Sequence, residues 1–490
     1  MLGDSYPAAV RRFQQMEKRF FIDDHLRKSY SEFMEEYERL GHIELSPVAS
    51  RSPQFSFTSM PSSVQRVRPQ KYHIQPALFA TIINFRLPRF AISADAEKMF
   101  RQMWVHPDDR KFQQILWRNN PSEPNRKYQL KTVTYGLASS PFHAARVLNQ
   151  LATDEGHRFP LAVPVIRKGT YVDDVLRSTK SGGFVFRKWA SNCKTVLSQV
   201  PEELWETSAD LELDRSQAVK TLGLLWFPHQ HDVFKIKVPA LPELEVVTKR
   251  IVVSEMSQLF DPLGLLGPVV VSAKMFIQSP WAAHISWESE LAKEAAVWWK
   301  KYRANIKELI PLQVPKRVLW NKDTERQYSV HCFCDASQKG FGCCVYIVSL
   351  DEYGQLHSHL LTSKSRVAPL RGKLIPRLEL RAALLGSQLV HCIRTDTNIT
   401  GPITFWTDST IALHCIKSRS NSWKVFVSNR VAEIQRLTKD AQWMHVPTDL
   451  NPADHISRGL LASQIIYDKL WWHGPEYLTF PANVSDFDAE

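Results

Sequence analysis

Apolar positions in the first forty residues recur at helical spacing and predict two helices across 7–40. Leu26, Tyr30, Phe33, Met34, Tyr37 and Leu40 share one face of the second, with Asp23 or Asp24 as its cap and Gly41 at its end. The periodicity then stops. Residues 46–70 hold seven Ser and four Pro and read as loop or disorder. Order resumes near Tyr72, with a helix at 79–85, a short apolar strand at 90–94 and another strand at 129–134. Pro141 suits the first turn of a helix running toward Leu151. Residues 162–175 read as a strand–turn–strand hairpin, 189–200 as a helix, and 222–227 with 233–238 as a second hairpin. A helix over 248–260 precedes the turn Asp261-Pro262-Leu263-Gly264, and helical, Trp-rich sequence continues to 310. From Gln327 a strand-rich block leads into alternating helices and strands up to Gly459.

Composition bounds the picture. At 490 residues the chain has room for several domains, and 44% hydrophobic residues supply sizeable cores. The net charge of +12 points to a polyanionic partner, nucleic acid first, against the blander reading of a merely basic soluble protein. No apolar run has the roughly 20 residues that a membrane span needs, and no signal peptide opens the chain. Of seven cysteines, six lie beyond residue 330. Cys332, Cys334, Cys343 and Cys344 resemble metal-ligand pairs, but the alternation around them predicts paired strands and buried thiols. Reduced thiols suit an intracellular compartment.

Two sets of carboxylates carry the candidate chemistry. In the first, Tyr171-Val172-Asp173-Asp174 places adjacent acids at a hairpin tip, and Asp95 ends the apolar strand Ile92-Ser93-Ala94. A plain Asp turn explains the pair taken alone. Three carboxylates on neighbouring strand ends instead suit two divalent ions, which would activate a hydroxyl and stabilise a leaving pyrophosphate.

This tip resembles the polymerase signature of reverse transcriptases, with Asp95 similar to their first catalytic aspartate. Under that resemblance Phe100 and Tyr171 contact substrate. The segment from Tyr135 to Phe142, with Gly136, Ser140 and Pro141, supports the templating base and incoming nucleotide. Thr248-Lys249-Arg250, Phe260-Asp261-Pro262-Leu263-Gly264-Leu265-Leu266, Phe186-Arg187-Lys188-Trp189-Ala190-Ser191-Asn192 and Leu470-Trp471-Trp472-His473-Gly474-Pro475 resemble the BEL/Pao class of long-terminal-repeat retrotransposons.

In the second set, Asp335 closes a strand, and Glu379 sits at the edge of the apolar stripe of a helix opened by Pro376. Asp408 ends the strand at 403–407, before Ser409 or Thr410 as a helix cap, and Asp454 falls in the first turn of a helix capped by Asn451 with Pro452 first. Each has a dull explanation alone: turn, solvated face or cap. Together their order resembles ribonuclease H, whose four carboxylates hold two Mg²⁺ and direct water onto an RNA phosphodiester. Asn451-Pro452-Ala453-Asp454 with Ser457-Arg458-Gly459 resembles the retroelement version. Lys364, Arg366, Arg371, Lys373, Arg377 and Arg381 suit a duplex backbone or a solvated basic surface.

The resemblance implies an α+β and α/β multidomain chain. Its parts are N-terminal helices with degenerate fingers (1–70), a right-hand polymerase palm and thumb (71–240), and a helical connection (241–320). A ribonuclease H-like mixed-sheet domain (321–462) and a tail toward an integrase (463–490) follow. It implies Mg²⁺, with Mn²⁺ as the alternative, at two ions per site. The implied partners are RNA template, DNA primer, RNA–DNA hybrid and deoxynucleotide triphosphates, in the cytoplasm or in a particle of the parent element. Oligomeric state is not legible. The family's fingers motifs have no counterpart in 46–70, and Thr179-Lys180 runs directly into Ser181-Gly182-Gly183-Phe184, where the family has a helix. An impaired polymerase beside an intact nuclease is therefore expected, and the competing expectation is an inactive remnant that binds nucleic acid. The Asp-Thr/Ser-Gly of an aspartic protease and the Gly-x-Ser-x-Gly of a serine hydrolase are absent.

Overall fold

The computed structural model describes residues 6–46, 77–137, 139–160, 162–172, 174–175, 186–206, 219–320, 328–370 and 374–480. The expected loop at 46–70 lies outside these residues apart from Ser46, as do Asp173, Arg371, Lys373 and the junction at 179–184. The chain forms two compact units, one of residues 1–75 and 94–187, the other of 76–93 and 188–490.

In the first unit, helices Tyr6–Ile22 and Asp24–Arg39 form as the spacing predicts, and Asp23 caps the second by accepting from Leu26 N at 2.9 Å. Phe13, Phe20, Met34 and Tyr37 are buried with Trp117 and Tyr128 of a small antiparallel sheet. The strand expected at 129–134 runs instead over Arg126–Leu130. Residues 162–175 are not a strand hairpin throughout. Ala162–Gly169 is a helix, and only Thr170–Tyr171 and Asp174–Val175 pair as strands. Val163, Val165 and Ile166 favour strands locally, but Ala162, Val165 and Gly169 are the buried positions, and their spacing of three and four is helical.

In the second unit the helix expected at 189–200 is also corrected. The strand Phe186–Ser191 ends there, and Lys194–Leu197 makes a single turn. Asn192 Oδ1 accepts from Ala91 N at 2.9 Å and Ser191 Oγ donates to Ala91 O at 2.8 Å, so this stretch holds residue 91 rather than coiling. The hairpin Leu224–Phe227 with Val233–Lys235 forms as expected and belongs to a four-stranded sheet completed by Val219–Thr221 and Gln313–Pro315.

The larger sheet of this unit positions the second acidic set. Its elements are β1 (Tyr328–Ala336), β2 (Gly340–Leu350), β3 (Leu356–Val367), α1 (Ile375–Asp396), β4 (Ile403–Thr407), α2 (Thr410–Lys417), α3 (Val425–Leu437), β5 (Gln442–His445) and α4 (Asp454–Arg458). The strand order is β3-β2-β1-β4-β5; β1, β2 and β3 are antiparallel, while β4 runs parallel to β1 and β5 to β4. Strand β2 is buried from Gly340 to Ser349, which explains its unbroken apolar sequence. Cys332, Cys334, Cys343 and Cys344 lie buried as free thiols across the β1–β2 pair.

Two family-like motifs turn out to be fastenings. Asp261 accepts from Leu265 N and Leu266 N, both at 2.8 Å, and so orders the turn before the helix Gly267–Ala282. Leu263 O accepts from Ser363 N at 2.9 Å and Thr362 Oγ1 at 2.6 Å, docking that turn on β3. Trp471 Nε1 donates to Leu265 O at 2.9 Å, and Tyr346 Oη donates to Trp471 O at 2.8 Å. Beneath them Arg86, fully buried on the helix Leu78–Arg86, donates to Leu361 O at 2.7 Å, Leu360 O at 3.0 Å, Pro315 O at 3.2 Å and Lys316 O at 3.3 Å.

Candidate active site

Parallel pairing of β1 with β4 brings two acids to neighbouring strand ends. Cys334 pairs with Thr407, and the next residues are Asp335 and Asp408. Ser409 then caps α2 by accepting from Ala412 N at 3.2 Å, which turns the chain directly after Asp408. Glu379, near the start of α1 and buried, faces the same point. One oxygen each from Asp335, Glu379 and Asp408 lies within 4.8 Å of the others, and this is the only such group of three found among the described residues.

Asp454 stands beside this triad rather than within it. The expected cap is corrected: α4 begins at Asp454 itself, and Asn451 serves the preceding turn by accepting from Ala453 N at 3.1 Å. Asn451 Nδ2 also reaches across to donate to Cys334 O at 3.2 Å. Local patterning marks Asn451 as a cap but cannot show this contact, which spans 117 residues. Gly342 pairs with Asp335 across the sheet, and a Cβ there would lie 2.1 Å from Ile456 Cγ2 and 2.4 Å from Lys364 O. The missing side chain lets α4 press onto the sheet. Arg458 Nε binds Asp454 Oδ1 one turn along α4, a spacing visible in the sequence.

The electrostatics of the cluster follow from crowding acids in a dry place. Burial pushes Asp335 up to about 6; Asp408 and Asp454 add to this, while the Ser457 side chain opposes it. Burial and then the Asp335 and Asp408 carboxylates push Glu379 up to about 9. Glu379 Oε2 and Asp408 Oδ1 are buried without hydrogen-bond partners. An oxygen-only donor set with unpaired buried oxygens suits a hard divalent cation.

The first acidic set sits in the other unit. Asp95 faces Asp174 in the antiparallel pair of Ile92–Ala96 with Asp174–Val175, and Tyr171 pairs with Asp174. Val172, at the hairpin tip, has φ +55°, a strained setting for a β-branched residue. Phe100 is buried on the turn Met99–Gln102, with Tyr135 edge-on at 4.9 Å. Gly136 has φ +84°, Ser140 Oγ donates to Thr134 O, and Pro141 opens the helix Ser140–Asp154. Segment 103–113 and the start of this helix line a cavity of about 660 Å³ with Trp104, Phe112 and His143 on its walls.

A five-stranded mixed sheet that gathers an Asp–Glu–Asp group from β1, α1 and the end of β4 is a ribonuclease H-like arrangement. Residues 248–409 match the family described as Pao retrotransposon-like RNaseH-like domain. Asp335, Glu379 and Asp408 fall inside the match and Asp454 outside it. No curated protein matches the chain. Solved structures of foamy viral protease-reverse transcriptase are similar at low identity. One, a dRH form in complex with double-stranded DNA, is 12% identical with a TM-score of 0.49, covering 84% of this chain and 68% of its own. A second double-stranded DNA complex is 12% identical with a TM-score of 0.49, at 86% and 83% coverage. A complex with RNA/DNA hybrid is 13% identical with a TM-score of 0.45, at 76% and 46% coverage.

Proposed function

We propose that this chain hydrolyses the RNA strand of an RNA–DNA hybrid at the Asp335–Glu379–Asp408 cluster, with Asp454 as the fourth acid. The observation that carries this reading is the convergence of three carboxylates, two of them with unpaired buried oxygens, on a ribonuclease H-like sheet. Asp335, Glu379 and Asp408 would hold Mg²⁺ or Mn²⁺, and Asp454 would join them on release from Arg458. Two such ions, when bound, lower the pKa of a water and stabilise charge on the phosphate. The protein's own share is positional. Strands β1 and β4 fix two ligands, α1 holds the third, and Asn451 ties the Asp454 turn to β1. Ser457 favours ionised Asp335, and ionised carboxylates are what a metal requires.

A second reading rests on the Asp95–Asp174 register. Two acids opposed on short strands, with Asp173 beside them in sequence, suit the palm of a reverse transcriptase acting on an RNA template, a DNA primer and deoxynucleotide triphosphates. Residues 71–240 would be palm and thumb, 241–320 a connection and 321–462 the nuclease. Without the family's fingers motifs its polymerase would extend primers weakly. No helix among the described residues is long and apolar enough to cross a membrane.

The test is cleavage of labelled RNA in an RNA–DNA hybrid with Mg²⁺, with Asp408→Asn as control. Cleavage by the parent and not by the variant supports the nuclease. Folded parent protein that leaves the hybrid intact removes it. Primer extension lost on Asp95→Asn would support the second reading, and extension unaffected by that change would remove it.

A further inference from the structure

We propose that Arg377, Arg381 and Arg430, gathered on the ring of Phe426, form a site for a backbone phosphate of the bound nucleic acid, outside the cleavage centre. The proposal rests on the nuclease reading for the identity of the ligand, but its geometry stands apart from the acidic cluster.

The guanidinium carbons of Arg430, Arg377 and Arg381 lie 3.6, 4.9 and 5.6 Å from the centroid of the Phe426 ring. Like charges gathered this closely repel, and the ring's quadrupole offsets only part of that repulsion. Other partly buried arginines rest on carboxylates, such as Arg118 on Glu17 at 2.7 Å and Arg303 on Glu255 at 2.8 Å. Among the described residues no carboxylate pairs with any of the three. Arg430 Nη1 donates to Phe426 O at 2.8 Å, but its Nε is buried without a partner. The surrounding sequence supplies no acid either. Residues 409–432 contain no Asp or Glu, yet hold Lys417, Arg419, Lys424 and Arg430. The cluster therefore lacks an anion with several acceptor oxygens, and guanidinium forks match phosphate.

Its position says which phosphate. Arg377 and Arg381 are one turn apart on α1, and Glu379 lies between them in sequence but about 200° around the helix at 100° per residue. The helix that carries a cleavage ligand on one face thus carries the cation cluster on the other. A nucleic acid held there is bound without its phosphate entering the carboxylate centre, so the cluster governs affinity rather than the chemical step.

The experiment measures binding of a fluorescent RNA–DNA hybrid in EDTA across a salt series, so that no cleavage is needed, followed by cleavage kinetics in Mg²⁺. Arg381→Gln is compared with Arg394→Gln, which removes the same charge from the last turn of α1. Arg377→Gln is the second variant, at an exposed residue, with a thermal melt to check that it folds. The expected result is a salt slope smaller by about one for each cluster variant and unchanged for Arg394→Gln, with KM raised and kcat kept. An equal effect at Arg394, an unchanged slope, or a fall in kcat without one in affinity overturns the site. A parent that binds hybrid with this cluster dependence yet never cuts it sinks the nuclease reading and leaves the phosphate site standing. A parent that binds no hybrid sinks both.

Discussion

Asn451 donates from its side chain to Cys334 O at 3.2 Å, and this contact joins the turn before Asp454 to the residue before Asp335. Together with the Ser337 Oγ donation to Ser457 O at 2.6 Å, it fastens the short α4, which has only five residues and little stiffness of its own, beside the end of β1.

Asn451→Ala should therefore act on the site at a distance. Loss of a buried hydrogen bond costs about 1–3 kcal/mol, and loss of a residue that orients metal ligands costs about 10- to 100-fold in metal affinity or rate. A Mg²⁺ titration of hybrid cleavage with a parallel thermal melt checks this. A variant with normal Mg²⁺ dependence would show that Asp454 needs no such tether.

Glu379→Gln should abolish cleavage while stabilising the metal-free protein. Burial, and then Asp335 and Asp408, hold the Glu379 carboxyl at about 9, and an amide of the same shape stays neutral and so avoids the cost of ionising there as pH rises. In EDTA the variant should melt at or above the parent temperature, and added Mg²⁺ should raise its melting point less than the parent's. A variant that melts well below the parent would mean the carboxylate stabilises the fold by itself.

The pH dependence has a fixed sign. Asp335, at about 6, and Glu379, at about 9, keep protons in the folded chain that the unfolded chain has already released. Their contribution is complete below the ordinary carboxylate range of about 4. It is lost as pH rises through the two folded values. Metal-free protein should unfold more readily at pH 9 than at pH 5, and Mg²⁺ should flatten the curve most at the alkaline end. Denaturant titrations at several pH values, with EDTA or Mg²⁺, read this directly, and a metal-free curve that rises with pH would contradict it.

Gly264→Ala probes the fastening on β3. A Cβ would lie 2.2 Å from Ser363 O, and φ at this residue is +69°. The left-handed backbone alone costs about 1–2 kcal/mol for a residue with a side chain, and the clash adds to it. A melting point within a degree of the parent would show that the turn can lift off the sheet.

The acidic cluster was legible in the sequence because each acid sits at a boundary that local rules mark: a strand end, a helix start or a cap. Their placement beside apolar runs already implied partial burial. What local rules could not supply was cross-chain contact. Asp261 in its turn and Trp471 near the far end carry the family resemblance in the sequence, and only the structure shows what their side chains bond to. In two of the stretches where the structure departs from local preference, tertiary contacts decide the outcome. At 162–169 β-branched residues favour extension but the buried positions repeat as in a helix, and at 189–191 the backbone stays extended because Ser191 and Asn192 bond Ala91.

Arg86 is translated far ahead of the carbonyls it serves, at residues 315, 316, 360 and 361. Its unit is therefore a discontinuous inheritance of the chain, interrupted by residues 94–187. A ribosome must finish the entire intervening unit before this guanidinium can find its acceptors. That unit cut out as one continuous gene segment from residue 188 onward would be missing its own keystone, and grafting the 76–93 segment back, rather than lengthening the tail, is what would restore it.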